Sequence, residues 1–152
     1  GNSTLPEDMY KDGYFNQVNV DYSEAVIEHM KERTQDMELM EWKLADIFNL
    51  NQSFDSKTFD VAIDKGTLDA LLTVKHDPWN PDPELLEKMH SYMKEVCNVL
   101  KDNGILIHIT FAQPHFRKRF LEIDGFDVET KIISETEGAI EYFAYICHRK
   151  SS

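Results

Sequence analysis

A short run, Phe59-Asp-Val-Ala-Ile-Asp-Lys-Gly-Thr-Leu-Asp-Ala-Leu-Leu72, constrains this chain more than any other stretch. Val61 to Ile63 reads as a buried strand that ends on charged residues, and Gly66 then turns the backbone into an apolar helical start. A strand that stops on polar groups ahead of a helix is where open α/β sheets place their ligands. Two similar edges lie upstream, at Asp21 and Asp46.

The rest of the chain repeats that grammar. Gln17-Val-Asn-Val-Asp21 reads as a short strand, and Ser23 is a good N-cap for a helix carrying Val26, Ile27 and Met30 at helical spacing. Leu39 to Leu44 reads as a second strand ending near Asp46, and Asn51 to Lys57 as a polar turn. Pro81-Asp-Pro-Glu84 is a helix start with Asp82 as N-cap and Pro83 at the first helical position. Leu85, Leu86, Met89, Tyr92, Met93, Val96, Val99 and Leu100 follow as one apolar stripe suited to packing on a sheet. Asp102-Asn-Gly104 is expected to stop that helix, with a strand from Ile105 to Phe111. Pro114 to Leu121 reads as a short helix. Phe126 to Ile133 and Ile140 to His148 flank Ser134-Glu-Thr-Glu-Gly138 as an antiparallel hairpin. The expectation is an α/β, Rossmann-like fold, a mostly parallel sheet with helices on both faces.

Composition narrows the function. The 152 residues suffice for one domain with its own core, and 41% hydrophobic with 11% aromatic content argues for a folded globule. A net charge of −12, from 28 acidic and 16 basic residues, repels phosphodiester backbones, so no nucleic acid is expected as a partner. Cys97 and Cys147 form no Cys-x-x-Cys pair and the histidines no His-x-x-x-His pair. Free buried thiols in a reducing cytoplasm, and no metal, are expected. No apolar run approaches the roughly 20 residues a membrane span requires, and no membrane partner is expected.

The chemistry resides at the strand ends. A carboxylate at Asp21 can accept hydrogen bonds from both hydroxyls of a ribose, and an Asp after a strand is also a common helix cap. It follows Gly1 by 20 residues, the spacing of roughly 20 between a glycine turn and its ribose-binding acid. Asp46 can take an adenine amino proton while Ile47 packs on the ring, or be a solvated loop acid. Asp64-Lys65 ends the third strand.

Gly1-Asn-Ser3, Val20-Asp-Tyr-Ser23, Asp46-Ile47, Asp64-Lys-Gly-Thr-Leu-Asp-Ala70, Asp77-Pro-Trp79 and Pro114-His-Phe-Arg117 together resemble a known family. The chain is similar to the class I, seven-strand S-adenosylmethionine-dependent methyltransferases. Within them it resembles the methyltransferase-like subgroup that includes lysine methyltransferases of translation elongation factor 1-alpha. The resemblance implies S-adenosyl-L-methionine as cofactor, with Gly1 in the glycine turn, Asp21 on the ribose and Tyr22 against the adenosine. It also implies Asp46 and Ile47 at the adenine and Lys65 beside the cofactor. It implies a sheet in the order 3-2-1-4-5-7-6, and a basic protein substrate such as an elongation factor.

The family's first strand, the first glycine of its turn and an N-terminal helical segment should precede Gly1. The expectation is therefore a single methyltransferase domain over 1–152 that lacks them. No Ser-His-Asp or Cys-His set is seen, as suits a displacement needing no protein nucleophile, and no catalytic base is assigned. Asp64 and Asp69 can position an ammonium, or serve as cap and surface acids around Gly66. Arg117-Lys-Arg119 can meet an acidic patch or form the wet face of a helix. Trp79 can shape a substrate loop or plug a core. Two alternatives stand beside the lysine methyltransferase: a non-catalytic binding protein of the same fold, and a small-molecule methyltransferase.

Overall fold

Proline and acidic residues begin the first helix: Pro6 lies where no N–H is needed, Glu7 and Asp8 occupy the first turn, and Lys11 the last. This helix, α1 (Leu5–Lys11), has no side-chain N-cap bond at Thr4; the Ser3 hydroxyl instead accepts the Leu5 N–H at 3.2 Å. Residues 3–133 and 141–151 are described in this computed structural model. They form two compact units, Gly1–Asn49 and Leu50–Ser152.

In the first unit α1 is followed by β1 (Gln17–Asp21), α2 (Glu24–Arg33) and β2 (Met40–Leu44). Ser23 caps α2 as expected, its Oγ accepting the Val26 N–H at 3.3 Å. β1 and β2 pair in parallel from Gln17↔Met40 to Asp21↔Leu44. Ile27 and Met30 of α2 close with Met40 and Trp42 of β2 into a core, flanked by Tyr10, Val26 and Met37. One polar chain runs through it: the Trp42 indole N–H donates to Thr34 Oγ1 at 3.0 Å, and that hydroxyl donates to the Met30 carbonyl at 2.7 Å. On the surface the Arg33 Nε donates to Glu7 of α1 at 2.7 Å.

A 3-10 segment, Ile47–Gln52, broken at Asn49, links the units. The second unit runs β3 (Phe59–Lys65), α3 (Thr67–Leu71), α4 (Pro83–Val99), β4 (Leu100–Thr110), α5 (Pro114–Leu121), β5 (Phe126–Ile133) and β6 (Tyr142–Arg149). Gly66 joins β3 to α3 at φ 96°, a left-handed conformation that favours glycine. Asp82 caps α4 by accepting the Glu84 N–H at 2.9 Å, with Pro83 at the first helical position, as expected. The α4 stripe packs as foreseen: Met89, Tyr92, Met93, Val96 and Val99 are buried, each such side chain worth about 1.5–3 kcal/mol of burial.

The strand order is β3-β4-β6-β5, with β3 and β4 parallel and β6 antiparallel to both its neighbours. Counting β1 as the family's second strand, the expected neighbours 3-2 and 4-5-7-6 are both present, one set in each sheet. The closing antiparallel pair is as expected. Its turn, Ser134 to Gly138, and Ile140 lie outside the described residues.

The end of α4 differs from expectation. The helix stops at Val99, and Asp102-Asn-Gly104 lies within β4. Two acceptors of the last turn are taken from outside the helix: the Lys57 N–H donates to the Asn98 carbonyl at 2.9 Å and the Thr58 N–H to that of Val99 at 2.8 Å. Arg149 of β6 adds its Nη1 to the carbonyls of Cys97, Asn98 and Leu100. Once those carbonyls are satisfied, nothing favours another helical turn. Gly104 instead allows close strand approach, since a Cβ there would sit 2.8 Å from the Lys101 carbonyl oxygen and 3.1 Å from that of Asp60.

Replacing Thr34 by the near-isosteric valine strands the buried Trp42 N–H. We expect Thr34→Val to lower unfolding free energy by about 1–3 kcal/mol, read as a lower urea midpoint at unchanged m-value.

Candidate functional site

Asp21 is the last residue of β1 and sits opposite Leu44, so Asp21 and Asp46 share the carboxyl end of neighbouring parallel strands. The strands stay joined past that point, the Ala45 N–H donating to the Asp21 carbonyl at 3.1 Å. The half-buried Asp21 carboxylate accepts the Ser23 N–H on Oδ1 at 2.8 Å, a turn that sets its direction just ahead of α2. Tyr22 beside it is 87% exposed. Asp46 is exposed and held by its own loop: Oδ1 accepts the Phe48 N–H at 2.9 Å and Oδ2 the Asn49 amide at 2.8 Å. These two bonds, the backbone one first, hold its carboxyl below the ordinary aspartate value. Ile47 is half-buried. The first unit thus brings Asp21, Tyr22, Asp46 and Ile47 to one sheet end. Lys65, exposed at the end of β3, belongs to the second unit, and Gly1 lies outside the described residues.

The second unit holds a buried polar network that joins its strands and helices. Asp64 is 3% exposed, in register with His108 on the parallel strand β4. Its oxygens accept the Thr67 N–H (3.2 Å) and Leu68 N–H (3.2 Å) at the start of α3, and the Tyr92 hydroxyl of α4 (2.8 Å). His108, fully buried, stands between Asp64 and Arg117, with Arg117 Nη1 3.0 Å from its Nε2. A guanidinium only donates, so Nε2 is the acceptor and Nδ1 carries the proton. Nδ1 lies 3.5 Å from Asp64 Oδ1 and makes no hydrogen bond, so the contact is electrostatic. Arg117 Nη1 also donates to Asp69 Oδ1 at 2.6 Å, which the Thr110 hydroxyl reaches at 2.7 Å.

Burial alone would raise the Asp64 carboxyl; His108, the Tyr92 hydroxyl and the Leu68 N–H outweigh it and hold it below 3.8. The same carboxylate, added to burial, pushes the Tyr92 phenol far up. Of the sequence readings of Asp64, the cap is borne out, its oxygens accepting the first N–H groups of α3, while the ammonium ligand and the surface acid are corrected: it is an interior residue. Arg117 likewise leaves the basic run; it is 7% exposed and points inward, whereas Arg119 donates to the Trp79 carbonyl at 3.1 Å. Trp79 is 66% exposed, hence no core plug, and its ring packs on His115 and Phe116. One signal was available in advance. Leu106, His108 and Thr110 alternate onto one face of β4, and two polar groups on a face shared with a buried leucine call for partners.

A depressed folded-state value means that the Asp64 contribution is fully present above 3.8 and is lost as pH falls through the lower folded value. We expect Asp64→Asn to cost about 1.5–3 kcal/mol at pH 7, with the gap to the parent narrowing as pH falls from 3.8 through the depressed folded value in a series of urea titrations.

Comparison with known proteins agrees with this architecture. A family model described as a methyltransferase domain matches residues 1–143. EEF1A lysine methyltransferase 4 of Mus musculus is 34% identical over 149 residues, covering 98% of this chain and 57% of that protein. Its Bos taurus counterpart is 39% identical over 119 residues, 78% of this chain and 46% of that protein. The chain thus spans about half the length of these relatives. A SAM-dependent methyltransferase structure from Methanosarcina mazei superposes with a TM-score of 0.63 at 15% identity, covering 95% of this chain and 87% of that one, a likeness of fold. With strand ends, sheet order and family match in agreement, the chain belongs to the methyltransferase domain family.

Proposed function

We propose that the protein transfers a methyl group from S-adenosyl-L-methionine to a lysine side chain of a protein, and that this acceptor is a translation elongation factor. The observation that carries this is the 34% identity, over 98% of the chain, to an EEF1A lysine methyltransferase. The family match runs across both compact units, which supports reading 1–152 as one methyltransferase domain. The net charge of −12 favours a basic partner over a nucleic acid.

The residues of the first unit fit a nucleoside. Asp21, oriented by the Ser23 N–H, supplies a carboxylate for ribose hydroxyls, and the exposed Tyr22 ring offers a face to the adenosine. Asp46 keeps further lone pairs for an adenine amino group beside Ile47, its two local bonds notwithstanding. The family resemblance adds Gly1 and Lys65 to the proposed cofactor contacts. The bound cofactor supplies an activated methyl on a sulfonium. The chain's part is to hold donor and acceptor in line and to exclude water. A lysine acceptor must shed a proton first, its ordinary pKa being about 10.4.

Three expectations follow. Asp21→Ala should weaken S-adenosyl-L-methionine binding by about ten- to 150-fold in calorimetry, the loss of a charge-assisted hydrogen bond worth about 1.5–3 kcal/mol; unchanged affinity would remove Asp21 from the site. Deleting the gene should abolish one lysine methylation on a translation elongation factor, read by mass spectrometry. With purified protein, added salt should slow the transfer by screening the acidic surface. Methylation of every lysine of that factor left intact would overturn the proposal.

A further inference from the structure

The two tryptophans stand in opposite surroundings. Trp42 is buried, with its N–H bonded to Thr34, whereas Trp79 is 66% exposed. An exposed ring of this size is free to wander unless something holds it, and Trp79 is held on three sides. Asp77 Oδ1 accepts the Trp79 N–H at 2.9 Å, and the Asn80 N–H closes the turn on the Asp77 carbonyl at 3.2 Å. Arg119 of α5 donates to the Trp79 carbonyl at 3.1 Å. The indole rests on two rings from the first turn of α5, 4.9 Å from that of Phe116 and 5.0 Å from that of His115. A tryptophan fixed in the open is the residue type that anchors protein interfaces. The ordering that a partner would otherwise have to impose is already in place.

The charges around the ring decide the partner. From 76 to 87 the chain carries Asp77, Asp82, Glu84 and Glu87 and no lysine or arginine. Asp77 and Asp82 line a cleft of about 440 Å³, in which Lys75 is the only lysine or arginine. Each carboxylate uses Oδ1 on a backbone N–H, that of Trp79 or that of Glu84. No hydrogen bond to Oδ2 of either is found among the described residues. The Arg119 guanidinium at the base of the ring is turned onto the carbonyls of Trp79 and His115. An indole face attracts a guanidinium or ammonium, and carboxylates beside it favour the same charge. The net charge of −12 draws a basic partner from further off.

We propose that Trp79 anchors a basic segment of a protein partner: an arginine or lysine side chain lies along the indole, and neighbouring cations of the segment meet Asp77 and Asp82 in the cleft. Every residue involved belongs to the second unit. Docking there is a matter of binding alone, whether or not the docked segment carries the lysine that is methylated.

The test uses the whole chain and a short arginine–glycine peptide that contains neither tryptophan nor lysine. All tryptophan emission then comes from Trp42 and Trp79, and acrylamide reaches the exposed Trp79 first. We expect this peptide to protect Trp79 from quenching and a glutamate–glycine peptide of equal length to leave it unprotected. Trp79→Ala keeps the backbone bonds of the turn and should weaken the basic peptide in calorimetry by about two- to thirty-fold. Asp77→Asn combined with Asp82→Asn keeps the turn and the helix cap, removes both charges, and should weaken it as well. Unchanged quenching overturns the inference, and so does equal protection by the acidic peptide. Parental affinity in Trp79→Ala overturns it too, since diffuse attraction to an acidic protein would then suffice. Protection that grows with protein concentration in the absence of peptide makes a second copy the occupant and overturns it. If Trp79→Ala does not fold, quenching of the parent and the paired aspartate variant decide by the same outcomes. Because the peptide offers no lysine, a failure of methyl transfer leaves these results untouched.

Discussion

Charge buried beneath α4 and α5 is the constraint on which the second unit depends. A carboxylate, an imidazole and a guanidinium taken out of water each cost several kcal/mol if left alone. Asp64, His108 and Arg117 offset that cost only together, and each comes from a different element: β3, β4 and α5. Tyr92 of α4 and the first N–H groups of α3 complete the set. Five elements therefore share one interdependent network, and loss of any member strands its neighbours. The short helix α3 shows the consequence most plainly. With only Thr67–Leu71 it is too short to persist on propensity, and Gly66 gives its start no side-chain cap. It forms because Asp64, from the preceding strand, accepts the N–H groups of its first residues and Leu68 is buried beneath it.

The features legible in the sequence are those decided locally. Ser23 and Asp82 are helix starts because their side chains bond N–H groups two or three positions on. The α4 stripe is legible because burial follows a 3.6-residue period. The closing antiparallel pair shows in the composition of its strands. What sequence reasoning missed was decided from afar. The stop at Val99 comes from Lys57, Thr58 and Arg149, which take the last carbonyls of α4, and no inspection of 95–104 reveals donors so distant in sequence. Arg117 looked like one member of a basic run, because its neighbours Lys118 and Arg119 carry the same charge while facing outward. Helix α1 went unread, although Ser3 accepts its first N–H and Pro6, Glu7 and Asp8 stand in its first turn.

The site divides along the same line. Asp21 and Asp46 are oriented by backbone and side-chain donors two or three residues ahead of them. Such turns form wherever the local sequence allows, so part of what aims these acids is local. Motif resemblance captures them for that reason. Asp69 is oriented by residues 41 and 48 positions away in sequence, and its direction exists only once β4 and α5 have packed. Substitutions in β4 or α5 can re-aim Asp69 without touching the turns that hold Asp21 and Asp46.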